Sequence, residues 1–462
     1  MSALTLFLPL TLVMAAAAVP GIAFAGDADK AETRTPGLLV IAQSANTAEA
    51  RLVETALQQL IGEALRRNPE IAAALHEKDA AGHRVSPAGA LEDPMLEAGF
   101  INLPINTLRF NREDMTMKML GIAQKLPYPG KRGLRQEVAL KNAETVAFAY
   151  RETVSRVIRE VKIAYYDVAL IDRSIELLER NRLIVEQLLR IAEGRYSVGQ
   201  SSQAEVLRAQ TQLAKMTEEL VRMRRERRTM EADLQRALGR GEDASLIRPE
   251  MPRLDSVPLR IEELREAALR ERPQLLGLQS LIDKNQKSLE LARKDYYPDF
   301  DVRLVYGQRD KTLESSSRPD MLSLTVAINL PLWRKNKLDP MVAEAQAMRE
   351  QAISLYQAQQ NELTAKLRQQ VAIAEQSRES ARLFEAGILP QARLALESAL
   401  AAYRVNRVDF SMLLDSQMSV LGYEINHAAA LVAQIKALAE IEQLTGKSVA
   451  QVEATAPQGE KR

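Results

Sequence analysis

The feature that most constrains this chain is a long stretch without proline. Proline is absent from Leu134 to Leu238, and the only glycines there are Gly194 and Gly199. Proline is costly inside a helix because it lacks the amide hydrogen and its ring clashes with the preceding turn. On both sides of the glycines, apolar residues recur in steps of three and four, which is the seam of a coiled coil. The stretch therefore predicts two long antiparallel helices joined by a tight reversal at Arg195–Ser201.

The two predicted helices are unusually long. The first, at residues 131–193, would extend roughly 90 Å at about 1.5 Å per residue, whereas most globular helices have only about three or four turns. The second, at residues 202–238, carries one polar residue on its apolar seam, Arg227. A hairpin of this length indicates a mechanical role, such as spanning a distance or forming the wall of a tube.

Charge and cysteine content exclude several classes of protein. The chain has 62 Lys+Arg against 61 Asp+Glu, so its net charge does not indicate a nucleic-acid partner. It has no cysteine, which excludes disulfides, thiolate metal sites and a lipidated N-terminal cysteine. The three histidines are scattered, and neither a catalytic constellation nor a glycine-rich phosphate loop is present. The sequence therefore predicts that the protein is not an enzyme and has no cofactor and no metal centre.

The N-terminal segment predicts export. Residues 4–25 are almost wholly apolar and end in Ala23-Phe24-Ala25, a small-x-small pattern typical of a secretory cleavage site. An uncleaved membrane anchor is the alternative. We expect residues 1–25 to be a signal peptide and residues 26–52 to be a flexible segment.

Beyond this point the chain repeats itself, and an internal repeat determines the architecture. The segment Ala64–Pro69 returns as Ala268–Pro273, and three further landmarks follow in the same order. They are Pro94 with Pro298, Tyr196-Ser197-Val198 with Tyr403-Arg404-Val405, and Gly239 with Gly446. The sequence therefore predicts two structural repeats, residues 53–255 and 256–446, followed by a flexible tail at 447–462.

Each repeat is expected to contain two strands followed by two long helices. Gly387 and Pro390 should break or kink the third long helix. The predicted strands are 94–103, 115–126, 298–308 and 320–331, and the predicted helices are 131–193, 202–238, 340–402 and 409–445.

The predicted strands have one apolar face. In residues 300–307 and 322–330, apolar side chains alternate with polar or small ones, and aromatic residues flank the segments. This pattern is typical of a membrane β-strand, and an ordinary hairpin in a soluble protein is the alternative. Four strands cannot close a membrane barrel, so lipid-facing strands would require oligomerisation of two or three copies.

These parts together resemble the TolC-like outer-membrane efflux proteins. The resemblance covers residues 53–447 and rests on the duplication, on Asn68-Pro69, on Gln124–Pro127 and on the turn Tyr196–Gly199. It implies a mainly α-helical homotrimer whose four strands per protomer form a 12-stranded β-barrel in outer-membrane lipid, continuous with a 12-helix α-barrel in the periplasm of a Gram-negative bacterium. It also implies a periplasmic adaptor (a membrane fusion protein) and an inner-membrane pump of the RND type. The segments Leu126–Arg132 and Ala386–Gln391 resemble the heavy-metal-efflux branch, which includes CusC and CzcC.

The resemblance also implies two functional regions. The adaptor-docking tips would be Tyr196, Val198, Gly199, Tyr403, Val405 and Asn406. Asp415 matches one acidic residue of the family's periplasmic gate, whereas Met412 and Asn406 stand where the family has a second aspartate and a turn glycine. Pairing of Asp415 with an arginine on the helix exterior is the alternative. Asp409 and the segment Ser202–Glu205 have the patterns of an N-cap and a capping box.

A methionine pattern suggests a lower-ranked luminal site. Met115, Met117 and Met119 alternate along the second predicted strand, and Met95 would share their side. Thioethers suit Cu(I), although methionine is also a common filler of irregular surfaces.

Taken together, these features predict a passive outer-membrane channel that serves as the exit duct of a tripartite efflux system, with residues 106–114 and 309–318 as extracellular loops. The substrates would be metal ions, drugs or other small molecules. The alternatives are the exit duct of a type I protein secretion system and a soluble periplasmic coiled-coil adaptor or scaffold.

Overall fold

Long helices and one small sheet make up the computed structural model, which describes residues 56–241, 248–253, 258–311, 313–314 and 316–447. The predicted signal peptide, the segment 26–52 and the tail from residue 448 lie outside the described residues. Within the described ranges, none of the helices is both long enough and apolar enough to cross a membrane.

The elements follow one order in both repeats: short helices, two strands, then two long helices. The first repeat contains α1 (56–67), α2 (Pro69–His83), α3 (Val85–Gly89), β1 (Met95–Ile101), β2 (Met117–Leu126), α4 (Lys131–Ser197) and α5 (Gln203–Leu238). The second contains α6 (Ile261–Glu271), α7 (Pro273–Lys294), β3 (Phe300–Gln308), β4 (Met321–Ile328), α8 (Asp339–Leu383), α9 (Leu389–Arg404) and α10 (Phe410–Thr445). Helix α4 has 67 residues, which corresponds to about 100 Å.

The third long helix is interrupted where a break or kink was predicted, by a π-helical turn in which the helix is locally wider. Helices α8 and α9 are joined by a π-helical turn at Phe384–Ile388, which contains Gly387. Pro390 lies in the first turn of α9, where its missing amide hydrogen costs least because the wider turn has already displaced the regular bonds. A second π-helical turn, Arg334–Leu338, precedes α8.

The four strands form one antiparallel sheet in the order β1-β2-β3-β4. Strands β2 and β3 join the two repeats, with Leu120 opposite Tyr306 and Ile122 opposite Leu304. One face carries large exposed side chains, including Leu96, Leu322 and Leu324 at about 70% exposure. The other face carries small and polar groups, such as Gly121 and the ion pair between Glu97 and Arg303. The mainly α fold with a four-stranded sheet is therefore confirmed.

Equivalent elements of the two repeats build equivalent cores. In the first repeat α1 and α2 pack against α4 and α5 through residues such as Leu60, Val161 and Leu234. In the second, α6 and α7 pack against α8 and α10 through residues such as Leu264 and Leu367. A third cluster joins the two hairpins near their turns.

Arg227 on the α5 seam is paired across the hairpin and does not interrupt it. Its Nε donates to Asp172 Oδ1 at 2.5 Å, and its Nη1 donates to Glu231 at 2.8 Å. Asp172 lies in the facing part of α4 and is buried. The pair fixes the alignment of α4 with α5, because a slip of either helix would leave a buried carboxylate without its partner.

Candidate functional site at the hairpin turns

Both hairpins reverse through a residue with positive φ. Gly199 has φ +73° in the first turn, and Asn406 has φ +58° in the second. Asparagine is one of the few residues other than glycine that adopt this conformation readily. The same closing bond recurs, from Gln200 N to Arg195 O at 2.8 Å and from Arg407 N to Ala402 O at 2.9 Å. Asn406 therefore replaces the expected turn glycine without changing the geometry of the turn.

The turns expose apolar side chains. Val198 and Val405 are 66% and 63% exposed, and Tyr196 is also largely exposed. A Cβ added at Gly199 would meet no atom within 4 Å, so the space beside this glycine is open. Exposed β-branched and aromatic residues at the end of a long hairpin form a small surface suited to contact with another protein.

Tyr403 differs from the other predicted tip residues because its side chain is buried, at 4% exposure. Its hydroxyl donates to Glu205 Oε2 at 3.0 Å, and its carbonyl accepts from Arg195 Nη1 at 2.9 Å. The Arg195 guanidinium also lies 4.5 Å from the centre of the Tyr403 ring. The Tyr403 side chain therefore links its own hairpin to the other one, and its predicted part in adaptor docking stays a prediction.

We call Arg195, Glu205 and Tyr403 the Tyr403 latch, because they connect the end of α4 and the start of α5 to the end of α9. Burial, together with the hydrogen bond to Glu205, raises the pKa of Tyr403, so its hydroxyl remains a donor at neutral pH. Phe410 packs edge-on against the ring of Tyr403 at 5.7 Å between centroids. Pattern analysis missed this cluster, although the Tyr196 and Tyr403 repeat marked the position.

The predicted capping box is absent in the described structure. Ser202 occupies the N-cap position of α5, but its side chain caps no amide there. The Glu205 carboxylate instead accepts from Ser201 Oγ at 2.7 Å and from Tyr403. Asp409 similarly occupies the N-cap position of α10 without a side-chain cap bond. Glu205 therefore joins the Tyr403 latch and does not form a capping box with Ser202.

Asp415 lies one turn into α10 on an exposed face, next to Met412 at 57% exposure. Among the described residues of one protomer, no basic side chain lies within 4.0 Å of the Asp415 carboxylate. The neighbouring contact is a hydrogen bond from Ser419 Oγ to the Asp415 carbonyl at 2.8 Å. Asp415 therefore has no arginine partner within its own protomer in the described structure, and its position at the gate stays a prediction.

The methionines lie at the other end of the molecule. Met95, Met117 and Met119 share one face of the sheet, but Met115 lies in a turn before β2 and not on the strand. The Met117 sulfur leans over Gly307 on β3, whereas the Met119 sulfur leans toward Gly99 on β1. The sulfurs of Met117 and Met119 therefore lie beside different neighbouring strands. In the part of the chain that the structure describes, no group of His, Asp or Glu side chains could hold a metal ion either.

Known proteins match this fold along most of its length. The model of the outer membrane efflux protein family matches residues 60–240 and 264–447, one segment in each repeat. The outer membrane protein VceC of Vibrio cholerae matches at 17% identity and a TM-score of 0.73, over 86% of this chain and 97% of that chain. The open state of the MtrE outer membrane channel of Neisseria gonorrhoeae matches at 16% identity and a TM-score of 0.71, over 85% of this chain and 89% of that chain.

A third solved structure, CusC, matches at 16% identity and a TM-score of 0.71, over 85% of this chain and 92% of that chain. A comparison with curated protein sequences finds no match. Since the family model covers well over half of the residues in two segments that follow the duplication, the chain belongs to the outer membrane efflux protein family, whose members are channels of the outer membrane and not enzymes.

Proposed function

We propose that three copies of this chain form the passive exit duct of a tripartite efflux system. The observation that carries the proposal is the sheet, which combines an exposed apolar face with unpaired edges at β1 and β4. In hydrocarbon each unpaired backbone group costs several kcal/mol, so such edges must pair with another copy. Joining β4 of one copy to β1 of the next preserves the antiparallel alternation, and three copies give twelve strands, enough for an open lumen.

Aromatic residues at the helical border of the sheet support a membrane position. Tyr128 and Tyr297 stack at 4.6 Å between ring centroids, and Trp333 is 74% exposed just before α8. Tyrosine and tryptophan are enriched where a membrane-spanning segment meets water. The large apolar side chains of the sheet would face lipid, whereas Glu97, Arg303 and their neighbours would face the lumen.

The proposed partners bind at the opposite end of the helices. A periplasmic adaptor would contact the exposed Val198, Val405 and Tyr196 of each protomer, and an inner-membrane pump of the RND type would supply the energy. The length of α4, about 100 Å, is sufficient to carry these tips far into the periplasm.

The hairpin turns would also form the gate. Three copies of Asp415, each without a cationic partner in its own protomer, would line the narrowest part of the tunnel beside Met412. The Tyr403 latch would hold the α9–α10 hairpin against the α4–α5 hairpin in the closed state. Opening would then require loss of the bond between Tyr403 and Glu205.

A narrower proposal is that the cargo includes metal ions. It is supported by the resemblance of Leu126–Arg132 and Ala386–Gln391 to the heavy-metal branch and by the thioethers of Met95, Met117 and Met119 on the luminal face. The cargo would pass as substrate and would not reside in a permanent centre, because the sulfurs of Met117 and Met119 lie beside different strands.

The direct experiment purifies the protein from outer membranes and records it in planar bilayers. We expect a trimer by native mass spectrometry and discrete ion conductance after insertion. Recovery in the periplasmic extract as a soluble protein without conductance would contradict the proposal and favour a scaffold.

A further inference from the structure

The two repeats differ at the residue that starts their second helix. In the first repeat this residue is Asn68, whose Oδ1 accepts from Glu70 N at 2.8 Å and from Ile71 N at 3.3 Å. Its amide nitrogen donates to Ala237 O at 2.9 Å. Asn68 therefore caps α2 and also anchors the end of α5, so the buried side chain is fully used.

At the same position the second repeat has Arg272, which provides no side-chain cap for α7. The side chain is only 5% exposed. Its Nη2 donates to Gln274 Oε1 at 2.5 Å, but Nε and Nη1 have no hydrogen-bond partner among the described residues. The first repeat shows that an asparagine is sufficient to start a helix at this position. Helix capping therefore does not explain the arginine of the second repeat.

Burying a guanidinium without a full set of acceptors is costly. The nearest carboxylate, Glu152, is 4.0 Å from Arg272 Nη2, beyond hydrogen-bond distance, and accepts instead from Gln443 Nε2 at 3.0 Å. Burial lowers the pKa of Arg272, and the charges of Glu152 and Glu362 only partly oppose this shift. Arg272 thus has a distant ionic partner in Glu152 but too few hydrogen-bond acceptors, and Glu152 Oε2 likewise has no hydrogen-bond partner among the described residues.

Arg272 lines a polar cavity of about 310 Å³. Two more cations line it, Arg159 and Lys366. The rest of the lining consists of three amides, one carboxylate and one apolar side chain: Gln369, Gln370, Gln443, Glu440 and Leu444. Arg159 donates to Gln443 Oε1 at 2.7 Å and to Glu440 Oε2 at 3.4 Å, but its Nε has no partner in the described part of the chain. Lys366 is half exposed and pairs with Glu362 at 2.6 Å. The two arginines that line the cavity therefore carry three nitrogen atoms that are buried and have no acceptor among the described residues.

We propose that this cavity binds a small oxyanion of the phosphate type between Arg272, Arg159 and Lys366. Guanidinium groups bind phosphate oxygens through paired, charge-assisted hydrogen bonds, and an ammonium adds a point charge. The carboxylate of Glu440 opposes the anion, but it is already engaged by Arg159. The bound anion would connect α4, α7 and α8 in the middle of the helical body.

The position of the cavity excludes a lipid headgroup as the source of the phosphate. Arg159 lies 28 residues beyond Lys131, the first residue of α4. At about 1.5 Å per residue this is roughly 40 Å from the helical border of the sheet. The ligand is therefore a free anion in solution.

The test measures binding of inorganic phosphate to the purified full-length trimer by isothermal titration calorimetry and by thermal unfolding. Sodium chloride at equal ionic strength serves as the reference. The decisive variant is Arg272→Asn, which installs the residue of the first repeat and should therefore fold. The matched control is Arg270→Asn, which removes the same charge from an exposed arginine two residues away.

We expect saturable phosphate binding in the wild type and in Arg270→Asn, and a loss of affinity of at least about tenfold in Arg272→Asn, because the strongest donors are removed. Lys366→Gln should weaken binding by about threefold, since an exposed cation contributes less. This second variant decides the question if Arg272→Asn does not fold. No saturable binding in the wild type, or equal affinity in Arg272→Asn or Lys366→Gln, would overturn the proposal.

Discussion

The substitution Tyr403→Phe tests the latch between the two hairpins. It removes the hydroxyl that donates to Glu205 and keeps the buried ring, its contact with Phe410 and the bond from Arg195 to the backbone carbonyl. A hydrogen bond to a charged acceptor contributes about 1.5–3 kcal/mol. Glu205 retains Ser201 as a donor, so the loss should lie near the lower limit, about 1.5 kcal/mol per protomer.

This energy determines the expected shift between closed and open channels. A change of about 1.4 kcal/mol is a factor of ten in an equilibrium constant. If three protomers open together, the ratio of open to closed channels should rise by about three orders of magnitude. Single-channel recording in planar bilayers measures this ratio as the open probability.

The matched control is Tyr196→Phe, which removes a hydroxyl from the equivalent, largely exposed position of the first repeat. We expect its open probability to equal that of the wild type. If Tyr403→Phe inserts normally and also behaves like the wild type, the bond between Tyr403 and Glu205 does not hold the channel closed, and the latch argument fails.

Three further predictions concern the gate, a docking tip and acid stability. Three Asp415 carboxylates about 6 Å apart, at an effective dielectric constant near 20, would repel by roughly 3 kcal/mol per pair. Asp415→Asn should therefore reduce cation selectivity and block by multivalent cations in bilayer recordings. Unchanged selectivity would show that Asp415 does not line the constriction. Gly199→Pro should abolish export in a drug- or metal-efflux assay while trimers still insert, because proline cannot adopt the φ of +73° at this position. Normal export would show that the first turn does not contact the adaptor. Arg240 Nε donates to Glu63 Oε1 at 2.8 Å, and this hydrogen bond lowers the pKa of Glu63. The pair therefore stabilises the fold at pH values above the ordinary glutamate pKa, and this contribution is lost as the pH falls through the lowered pKa. Glu63→Gln should lower Tm at neutral pH and should make Tm less dependent on pH in the acid range. An acid dependence of Tm identical to that of the wild type would exclude this role.

The helices and strands were predictable because each depends on local sequence. The absence of proline from Leu134 to Leu238 leaves few alternatives to helix, and alternation over eight or nine residues fixes which side chains share a face of the sheet. The turn at Asn406 was also predictable, because the duplication aligns Asn406 with the reversal of the first hairpin. Local patterns of this kind are sufficient when one segment decides its own conformation.

Features that depend on two distant segments were missed. Ser202–Glu205 fits the capping-box pattern, but the Glu205 carboxylate is taken by Tyr403, which is 198 residues away in sequence. Nothing in the sequence around Arg272 marks it as buried, and only its packing places this cation beside a cavity.

In the proposed topology the sheet lies in the outer membrane, its loops lie outside the cell and the hairpin turns lie in the periplasm. Because the chain contains no cysteine, single cysteines can be introduced without other changes. We expect Arg112→Cys, in the loop between β1 and β2, to react with a membrane-impermeant maleimide on intact cells. Gly199→Cys should react only after the outer membrane is permeabilised. Labelling of Gly199→Cys and protection of Arg112→Cys on intact cells would contradict the account.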